Sequence, residues 1–227
     1  MTDDVSRETS NAPPAPDTAQ GVFGSERLPL AERFAHLLAT EGTLRGLIGP
    51  REVPRLWERH LVSCAVLAEL VPHGAKVCDL GSGAGLPGVV LAIARPDVRV
   101  TLVEPLLRRT SFLDEVVLEL GLDTCEVLRD RAERLHGRLT FDVVTSRAVA
   151  PLPKLLDWSL PLVAPGGAVI AMKGSRALEE IAAAAGTLRR LGCAPAEVLE
   201  LGAGAPARLE PPTTVVRVVR DGTDVRG

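Results

Sequence analysis

A chain of 227 residues is long enough for one well-buried α/β domain with additions and too short for two large ones. Apolar residues make up 46% and charged residues 24%, as in ordinary globular proteins, and no apolar stretch reaches the roughly 18 residues that suggest a membrane span. The four cysteines are scattered, so neither a disulfide framework nor a metal site is expected. The polar, acidic N-terminus has no signal or transit peptide pattern, which makes cytoplasmic residence the default.

The net charge of −3 is unevenly distributed along the chain. Residues 1–26 carry five acidic residues and one basic residue, so the remainder carries 24 acids and 25 bases, a net of +1. Only three of the 26 basic residues are lysines. This preference for arginine can reflect a GC-rich genome as readily as phosphate recognition. RNA binding is therefore permitted by the charge and not indicated by it.

The chain begins with a polar segment, residues 1–24, in which prolines stand among Ser, Thr, Asn, Asp and Gln. Because this composition cannot bury a core, we predict a disordered acidic N-terminal extension. Apolar residues at helical spacing then predict one helix over 29–41 and, after a link rich in Gly and Pro, a second over 53–70. We expect these helices to form an N-terminal helical cap, residues 25–72, within a single domain of residues 25–227.

From residue 76 onward, short apolar runs alternate with segments of helical periodicity. The predicted strands cover residues 76–80, 98–103, 125–128, 141–145, 168–172, 197–201 and 213–219. Helical connections imply parallel strands with right-handed crossovers and helices on both faces of the sheet. The last two strands have no room for a helix between them, so we expect the final strand to run antiparallel. The predicted fold class is α/β, with a seven-stranded, mostly parallel, Rossmann-like sheet.

A glycine-rich turn follows the first predicted strand, in the stretch KVCDLGSGAGLPG. The apolar run ends in Asp79, and Gly81, Gly83 and Gly85 follow at alternate positions, which lets the backbone turn tightly and approach a ligand closely. A dinucleotide fingerprint needs glycine at the sixth position of the turn, where this chain has Leu86. The spacing instead resembles motif I of the class I S-adenosylmethionine (SAM) methyltransferases. A purely structural tight turn is the alternative.

The second predicted strand ends in Glu104, which lies 23 residues beyond Gly81 by subtraction. In folds of this type, an acidic side chain about 20 residues after the glycine turn binds ribose hydroxyls. A solvated strand end is the alternative. Ligands of such sheets bind beyond the carboxyl ends of the strands, so the residues standing there define the predicted active site. These residues are Asp79 to Leu86, Glu104, residues 129–133, Ser146, Arg147, Lys173 and Gly174.

Several stretches together resemble one methyltransferase family. They are LWERHLVSC (56–64), VCDLGSGAGLPGVVLA (77–92), LVEPLLRRTSFLDEV (102–116), RDRAERL (129–135), FDVVTSRAVAPL (141–152) and MKG (172–174). The chain resembles the RsmG family, also called glucose-inhibited division protein B, the 16S rRNA guanine-N7 methyltransferases. The resemblance covers roughly residues 28–220. Its more specific parts are the Leu-Pro-Gly after the glycine turn, the Arg-His pair and the Ser-Arg-Ala.

The resemblance implies a bacterial cytoplasmic enzyme that uses SAM to methylate N7 of one guanine in 16S rRNA, with the rRNA or the small ribosomal subunit as partner. We expect it to act as a monomer. Cofactor contacts carried over by motif position fall on Gly81, Leu86, Ala132, Glu133 and Arg147. Together with the residues singled out above, the predicted cofactor site comprises Asp79, Gly81, Gly83, Gly85, Leu86, Glu104, Ala132, Glu133 and Arg147. The acidic N-terminal extension and the low positive charge depart from what this function suggests.

The residues after the fourth predicted strand fit this chemistry. Guanine N7 carries a lone pair and no proton, so its methylation requires no general base. The chain has Thr-Ser-Arg-Ala there, with no Asn-Pro-Pro-Tyr or Asp-Pro-Pro-Tyr to hold an exocyclic amine. It also lacks the Pro-Cys nucleophile that methylation of a pyrimidine carbon needs.

Three residues are candidates for a catalytic role. Arg147 is the first, because a guanidinium at a strand end can bind the guanine O6 edge, the cofactor carboxylate or a phosphate; an ion pair with a nearby carboxylate is the alternative. Lys173 is predicted to contact RNA backbone or phosphate, or else to be a solvated strand end. His60, beside Arg59 on the second cap helix, can reach the pocket mouth or be an ordinary core histidine. For Glu133, the alternative to adenine binding is an acid favoured in the first turn of a helix.

Two other functions remain open from the sequence. A SAM-dependent methyltransferase acting on a small molecule would have the same cofactor site and would differ in the methyl acceptor. A nucleotide-binding oxidoreductase or a catalytically silent binding module would share only the glycine turn.

Overall fold

The computed structural model describes residues 12–222. Its strands are β1 (Lys76–Leu80), β2 (Arg99–Val103), β3 (Cys125–Leu128), β4 (Phe141–Arg147), β5 (Val163–Met172), β6 (Glu197–Leu201) and β7 (Thr213–Val219). Its α-helices are α1 (Asp17–Leu37), α2 (Ser63–Ala65), α3 (Gly88–Ala94), α4 (Leu107–Leu120), α5 (Ala132–Leu135), α6 (Leu152–Ser159) and α7 (Ala177–Arg190). No helix within residues 12–222 is both long and apolar enough to cross a membrane.

The seven strands form one sheet in the order β3-β2-β1-β4-β5-β7-β6. Neighbouring strands in the run β3-β2-β1-β4-β5 are parallel, whereas β7 runs antiparallel to both β5 and β6. This confirms the predicted mixed sheet and its antiparallel last strand. The order of the sheet reverses between β1 and β4, and this is the position where open α/β sheets bind their ligands.

Alternating residues of the sheet enter two separate cores. In β1, Val77 belongs to the core on the side of α1, α3 and α4, while Cys78 and Leu80 belong to the core on the side of α6 and α7. Because both faces are covered, the parallel strands consist mainly of apolar residues rather than alternating with polar ones. The sheet is thereby buried, and its carboxyl edge remains as the place for a site.

The cap consists of α1 and a second helical segment, residues 50–70, which we call the second cap helix. It is built from short pieces of different hydrogen bonding, Pro50–Arg55, Leu56–Val62, Ser63–Ala65 and Val66–Leu70. Its apolar side chains, including Leu56 and Leu61, are buried in the first core. The prediction of a second cap helix is thus confirmed in position, although its hydrogen bonding is irregular.

The predicted disorder of residues 1–24 is wrong for residues 12–24, and residues 1–11 lie outside the described part. The first helix begins at Asp17, well before the predicted start, and Ala19 and Phe23 are buried one turn apart. The indole Nε1 of Trp57 also donates to the carbonyl of Pro13 at 2.8 Å. A kink at Gly24, with φ 70°, divides the helix and interrupts the periodicity that would have shown it in the sequence.

Candidate active site

The glycine turn after β1 is a tight loop with three left-handed residues. Gly81, Gly83 and Gly85 have φ values of 74°, 57° and 88°. A Cβ atom at Gly81 would lie 2.7 Å from Cγ2 of Val149, and one at Gly85 would lie 2.6 Å from Cγ2 of Val89. At Gly83 only a backbone oxygen lies within 4 Å of the added atom, at 3.8 Å. Glycine is therefore required at Gly81 and Gly85 by both space and φ, and at Gly83 by φ alone.

A cavity of about 710 Å3 lies over the carboxyl ends of β1 to β4, and we call it the cofactor cavity. Of the predicted site residues, those lining it are His60, Gly81, Gly83, Leu86, Glu104, Ala132, Glu133 and Arg147. Asp79, Gly85 and Lys173 do not line it. The structure therefore brings most of the predicted site together, from four strand ends and the second cap helix.

Glu104 is held rigidly at the edge of this cavity. Its side chain is only 1% exposed. The carboxylate accepts hydrogen bonds from the backbone N–H of Gly83 at 3.1 Å and of Leu106 at 3.0 Å, and Nη1 of Arg109 lies 3.3 Å away. Glu104 is thus not a solvated strand end. It joins the glycine loop to the start of α4, and its burial among donors fixes a carboxylate where a ligand hydroxyl can reach it.

Asp79 lies beneath the glycine loop instead of in the cofactor cavity. Its side chain is fully buried, and Oδ2 accepts a hydrogen bond from the backbone N–H of Gly88 at 2.9 Å. Oδ1 has no hydrogen-bond partner among residues 12–222. Burial raises the pKa of the Asp79 carboxyl to about 7. The predicted cofactor contact would require Asp79 to line the cavity, and it does not. The hydrogen bond to Gly88 instead supports a role in holding the loop and the start of α3.

Arg147, at the end of β4, belongs to a chain of three side chains. Its Nη2 lies 2.5 Å from Nδ1 of His60, and Nε2 of His60 lies 2.9 Å from Oε2 of Glu52. A guanidinium only donates hydrogen bonds, so Nδ1 accepts and the single proton of a neutral ring is on Nε2, which donates to Glu52. Burial and the charge of Arg147 lower the pKa of His60 to about 4, which agrees with a neutral ring.

Glu52 completes this chain of contacts and was not among the residues predicted from the sequence. Its Oε1 also accepts from Nη1 of Arg59 at 3.2 Å. Glu52 lies just before the predicted helix of residues 53–70 and has no i, i+4 relation to His60. The irregular turn Pro50–Arg55 brings it to the ring, and periodicity gives no sign of such a turn.

Lys173, after β5, does not reach the cofactor cavity. Its side chain is 9% exposed, and Nζ donates to Oε2 of Glu180 at 2.7 Å and to the carbonyl of Ala150 at 2.8 Å. The same Glu180 oxygen accepts from the backbone N–H of Leu152 at 2.8 Å. Lys173 is therefore not a solvated strand end. Its ammonium group anchors residues 148–152, the segment that follows β4.

The end of β3 and α6 close the other side of the cavity. Ala132 is buried and Glu133 is exposed in the first turn of α5. Trp158 of α6 and the turn Gly46 to Ile48 also line the cavity, and neither was predicted from the sequence. A tryptophan in an amphipathic helix gives no sign that it faces a ligand. Within residues 12–222, no three His, Cys, Asp or Glu side chains are grouped as a metal site would require.

This fold and glycine loop are those of the class I SAM-dependent methyltransferases. A SAM-dependent methyltransferase of Aquifex aeolicus matches with a TM-score of 0.55 at 18% identity, over 77% of this chain and 97% of that one. A SAM-dependent O-methyltransferase of Thermotoga maritima matches with a TM-score of 0.53 at 17% identity, over 71% and 65% of the two chains. At these identities the likeness concerns the fold alone.

The chain belongs to the rRNA small subunit methyltransferase G family, whose sequence model matches residues 27–207. A Nocardioides protein named ribosomal RNA small subunit methyltransferase G is 68% identical over 219 residues, which cover 96% of this chain and 85% of that one. A Thermobifida fusca protein of the same name is 59% identical over 202 residues, covering 89% and 84%. The resemblance drawn from the sequence motifs is thereby confirmed, and the chain is a methyltransferase.

Proposed function

We propose that this enzyme transfers the methyl group of SAM to N7 of a guanine in 16S rRNA. The observation that carries the proposal is the cofactor cavity, in which a glycine loop, a buried carboxylate and the guanidinium of Arg147, bonded to a neutral His60, meet at the carboxyl edge of the sheet. Membership of the rRNA small subunit methyltransferase G family supports the rRNA acceptor. The relatives are named for the small-subunit rRNA. The choice of N7 is supported by the resemblance of the sequence motifs and by the absence of a proton on that nitrogen.

The residues of the cavity fit SAM by their shape and polarity. The loop offers bare backbone at Gly81, where a side chain would collide with Val149. We assign the ribose hydroxyls to Glu104, which is buried at the cavity edge. We assign the adenine to the backbone of Ala132 with the carboxylate of Glu133. These assignments follow the motif positions and the residues lining the cavity.

When bound, SAM supplies a methyl carbon on a positively charged sulfur, which departs as a neutral thioether when the N7 lone pair attacks. The enzyme mainly has to align the acceptor with this carbon, because N7 has no proton to remove. The groups beside Arg147 agree with such a reaction. Both nitrogens of the His60 ring are engaged, one with Arg147 and one with Glu52, and a guanidinium cannot accept a proton.

Arg147 has two possible tasks in this scheme. Its guanidinium can donate to guanine O6, next to the N7 that reacts, or to the carboxylate of the cofactor. Either task needs the guanidinium held in one direction. Nη2 of Arg147 donates to Nδ1 of His60, and Nη1 donates to Sγ of Cys64 at 3.6 Å. Arg147 also lines the cavity, and its five N–H donors exceed these two bonds, so donors remain for a ligand.

The test is transfer of labelled methyl from SAM to small ribosomal subunits taken from a strain that lacks the modification. We expect label in the 16S rRNA, recovered as 7-methylguanosine when the RNA is digested and compared with N1-, N2- and N7-methyl standards. Gly81→Val is the control for cofactor dependence. Label in a metabolite pool but not in rRNA would instead identify a small-molecule methyltransferase, and protection of the fold by NAD but not SAM would contradict both.

A further inference from the structure

A second, larger cavity opens beside the cofactor cavity. It has a volume of about 1320 Å3 and lies between the second cap helix, the start of α7 and the segment before β7. We call it the outer groove. Arg147, Ala148 and Val149 line both cavities. The segment that follows β4 is therefore a partition, and Arg147 stands where the two cavities meet.

The charges of the two cavities differ. The cofactor cavity is lined by three basic and three acidic side chains, apart from the neutral His60, so it carries no net charge. The outer groove is lined by six basic and four acidic side chains, a net of +2, in a chain whose net charge is −3. Its basic residues come from separate elements and face one space. Positive charge is thus concentrated at one place, although the chain as a whole is acidic.

Three of these basic side chains are available to a ligand. Arg55 on the second cap helix, Arg176 at the start of α7 and Arg208 before β7 are all exposed. Among residues 12–222, none of the three has a carboxylate within 4.0 Å. By contrast, Lys173 in the same groove is bound to Glu180. Exposed guanidinium groups without an ionic partner suit the phosphates of a nucleic acid backbone.

The backbone of the groove is constrained at two of its positions. Within residues 12–222, the non-glycine residues with positive φ are Ala148, at 54°, and Arg208, at 46°, and both line the outer groove. Such a conformation costs an ordinary residue on the order of 1 kcal/mol and persists where the surroundings or a function require it. One of them lies in the partition, and the other is one of the basic residues that line the groove.

We propose that the outer groove binds the sugar–phosphate backbone of the rRNA next to the target guanine, with Arg55, Arg176 and Arg208 as phosphate contacts. This inference rests on the proposed function. The RNA then approaches the partition from the side opposite the cofactor, and the target base crosses beside Arg147. Glu58, Glu179 and Glu210, the exposed acids of the groove, limit the affinity.

The test measures binding of in vitro transcribed 16S rRNA, and of small ribosomal subunits, over a range of salt concentrations. The variant is Arg55→Ala with Arg208→Ala, from opposite walls of the groove. The matched control is Arg138→Ala with Arg189→Ala, which removes the same charge from two exposed arginines outside both cavities. Each lost phosphate contact reduces the slope of log K against log salt by about 0.7 to 0.9. When the salt concentration rises from about 50 to 200 mM, the affinity for RNA falls. For each phosphate contact that a variant lacks, this fall is about threefold smaller than in the wild type.

For Arg55→Ala with Arg208→Ala, we expect the slope of log K against log salt to be smaller in magnitude by about 1.5. The KM for rRNA should rise, while SAM binding stays at the wild-type level. The control should keep the wild-type slope, and Glu179→Gln should tighten binding. Equal slopes for the two double variants, in an enzyme that still methylates rRNA, would overturn the groove and leave the proposed function standing. The groove proposal would also be overturned if the groove variant weakened binding to intact subunits but not to 16S rRNA, since the groove would then face a ribosomal protein. A wild-type enzyme that transfers no methyl to rRNA would overturn both.

Discussion

The guanidinium of Arg147 donates to Nδ1 of His60 across 2.5 Å, which joins the end of β4 to the second cap helix. Arg147 is fixed by its strand, because its backbone pairs with Met172 of β5. The second cap helix fixes His60 through its contact with Glu52. The cap is therefore more than a cover of the sheet, since it determines the direction of a side chain in the cofactor cavity.

The first prediction concerns Arg147 itself. Arg147→Ala should lower kcat/KM for rRNA methylation by about a hundredfold, as removal of one directed donor does elsewhere. The free energy of unfolding should fall by only about 1 to 3 kcal/mol, for the buried His60 acceptor left without its donor. Methylation kinetics and urea unfolding measure the two quantities. Arg147→Lys is the control that keeps the charge and loses the planar fork. Comparable losses of activity and stability would make Arg147 a structural residue.

The second prediction concerns the protonation of His60. At pH 7 the ring should be neutral with its proton on Nε2, which nitrogen NMR of the histidine ring reports directly. Burial and Arg147 lower the pKa of His60 to about 4 from 6.5, so only the unfolded chain takes up a proton between these values. Stability from this residue is thus complete above pH 6.5 and declines as the pH falls toward 4. Below that, a charged ring repels Arg147, and methylation should decline. Protonation of the ring near 6.5 would show that it is not engaged as described.

The third prediction concerns Asp79, whose effect on folding stability changes with pH in the opposite direction to that of His60. Burial raises the pKa of Asp79 to about 7, so the unfolded chain loses a proton between about pH 4 and 7 while the folded chain keeps it. The folded state therefore loses stability as the pH rises through this range. Asp79→Asn removes this cost and keeps an acceptor for the N–H of Gly88. Relative to wild type, the variant should gain about 1.4 kcal/mol for each pH unit between pH 5 and 7.

Urea unfolding at pH 5, 6 and 7 measures this difference. The control is Asp114→Asn, at an exposed carboxyl of α4, which should run parallel to wild type over the same range. A constant difference between Asp79→Asn and wild type would mean that the buried carboxyl is ionised throughout.

The parts of the site that could be predicted from the sequence are those fixed by local pattern. Glu104 and Arg147 stand at strand ends, and a parallel sheet brings such ends to one edge whatever surrounds them. The direction of the Asp79 side chain could also have been predicted. Cys78 and Leu80 enter one core, and alternation along β1 places Asp79 on the opposite face, with α3. The contact of Glu52 with His60 could not be predicted from the sequence, because its position depends on how an irregular turn packs on the sheet.

The fourth prediction compares two glycines of the loop. Gly81→Ala adds a Cβ atom 2.7 Å from Val149 at φ 74°, whereas Gly83→Ala meets only an oxygen at 3.8 Å at φ 57°. Gly83→Ala should cost about 1 to 2 kcal/mol of stability from its backbone conformation alone. Gly81→Ala should add a loss of SAM affinity, because Val149 and the loop must separate. Calorimetric titration with SAM and urea unfolding distinguish the two effects. Equal SAM affinities of the two variants would show that the contact with Val149 does not shape the cavity.

The last prediction concerns Lys173, which we regard as a positioning residue. Lys173→Met leaves the carboxylate of Glu180 with the N–H of Leu152 and frees the carbonyl of Ala150, so the partition loses an anchor. The variant should lose about 1 to 3 kcal/mol of stability, since the half-buried carboxylate of Glu180 loses its charged donor. Adding Glu180→Gln should recover part of this loss, as in a double-mutant cycle. Methylation should change mainly through KM for rRNA, because Lys173 itself lines the outer groove and not the cofactor cavity. If Lys173→Met instead lowers kcat at saturating rRNA and shows no coupling to Glu180, the ammonium group acts on the reacting groups and Lys173 is more than a positioning residue.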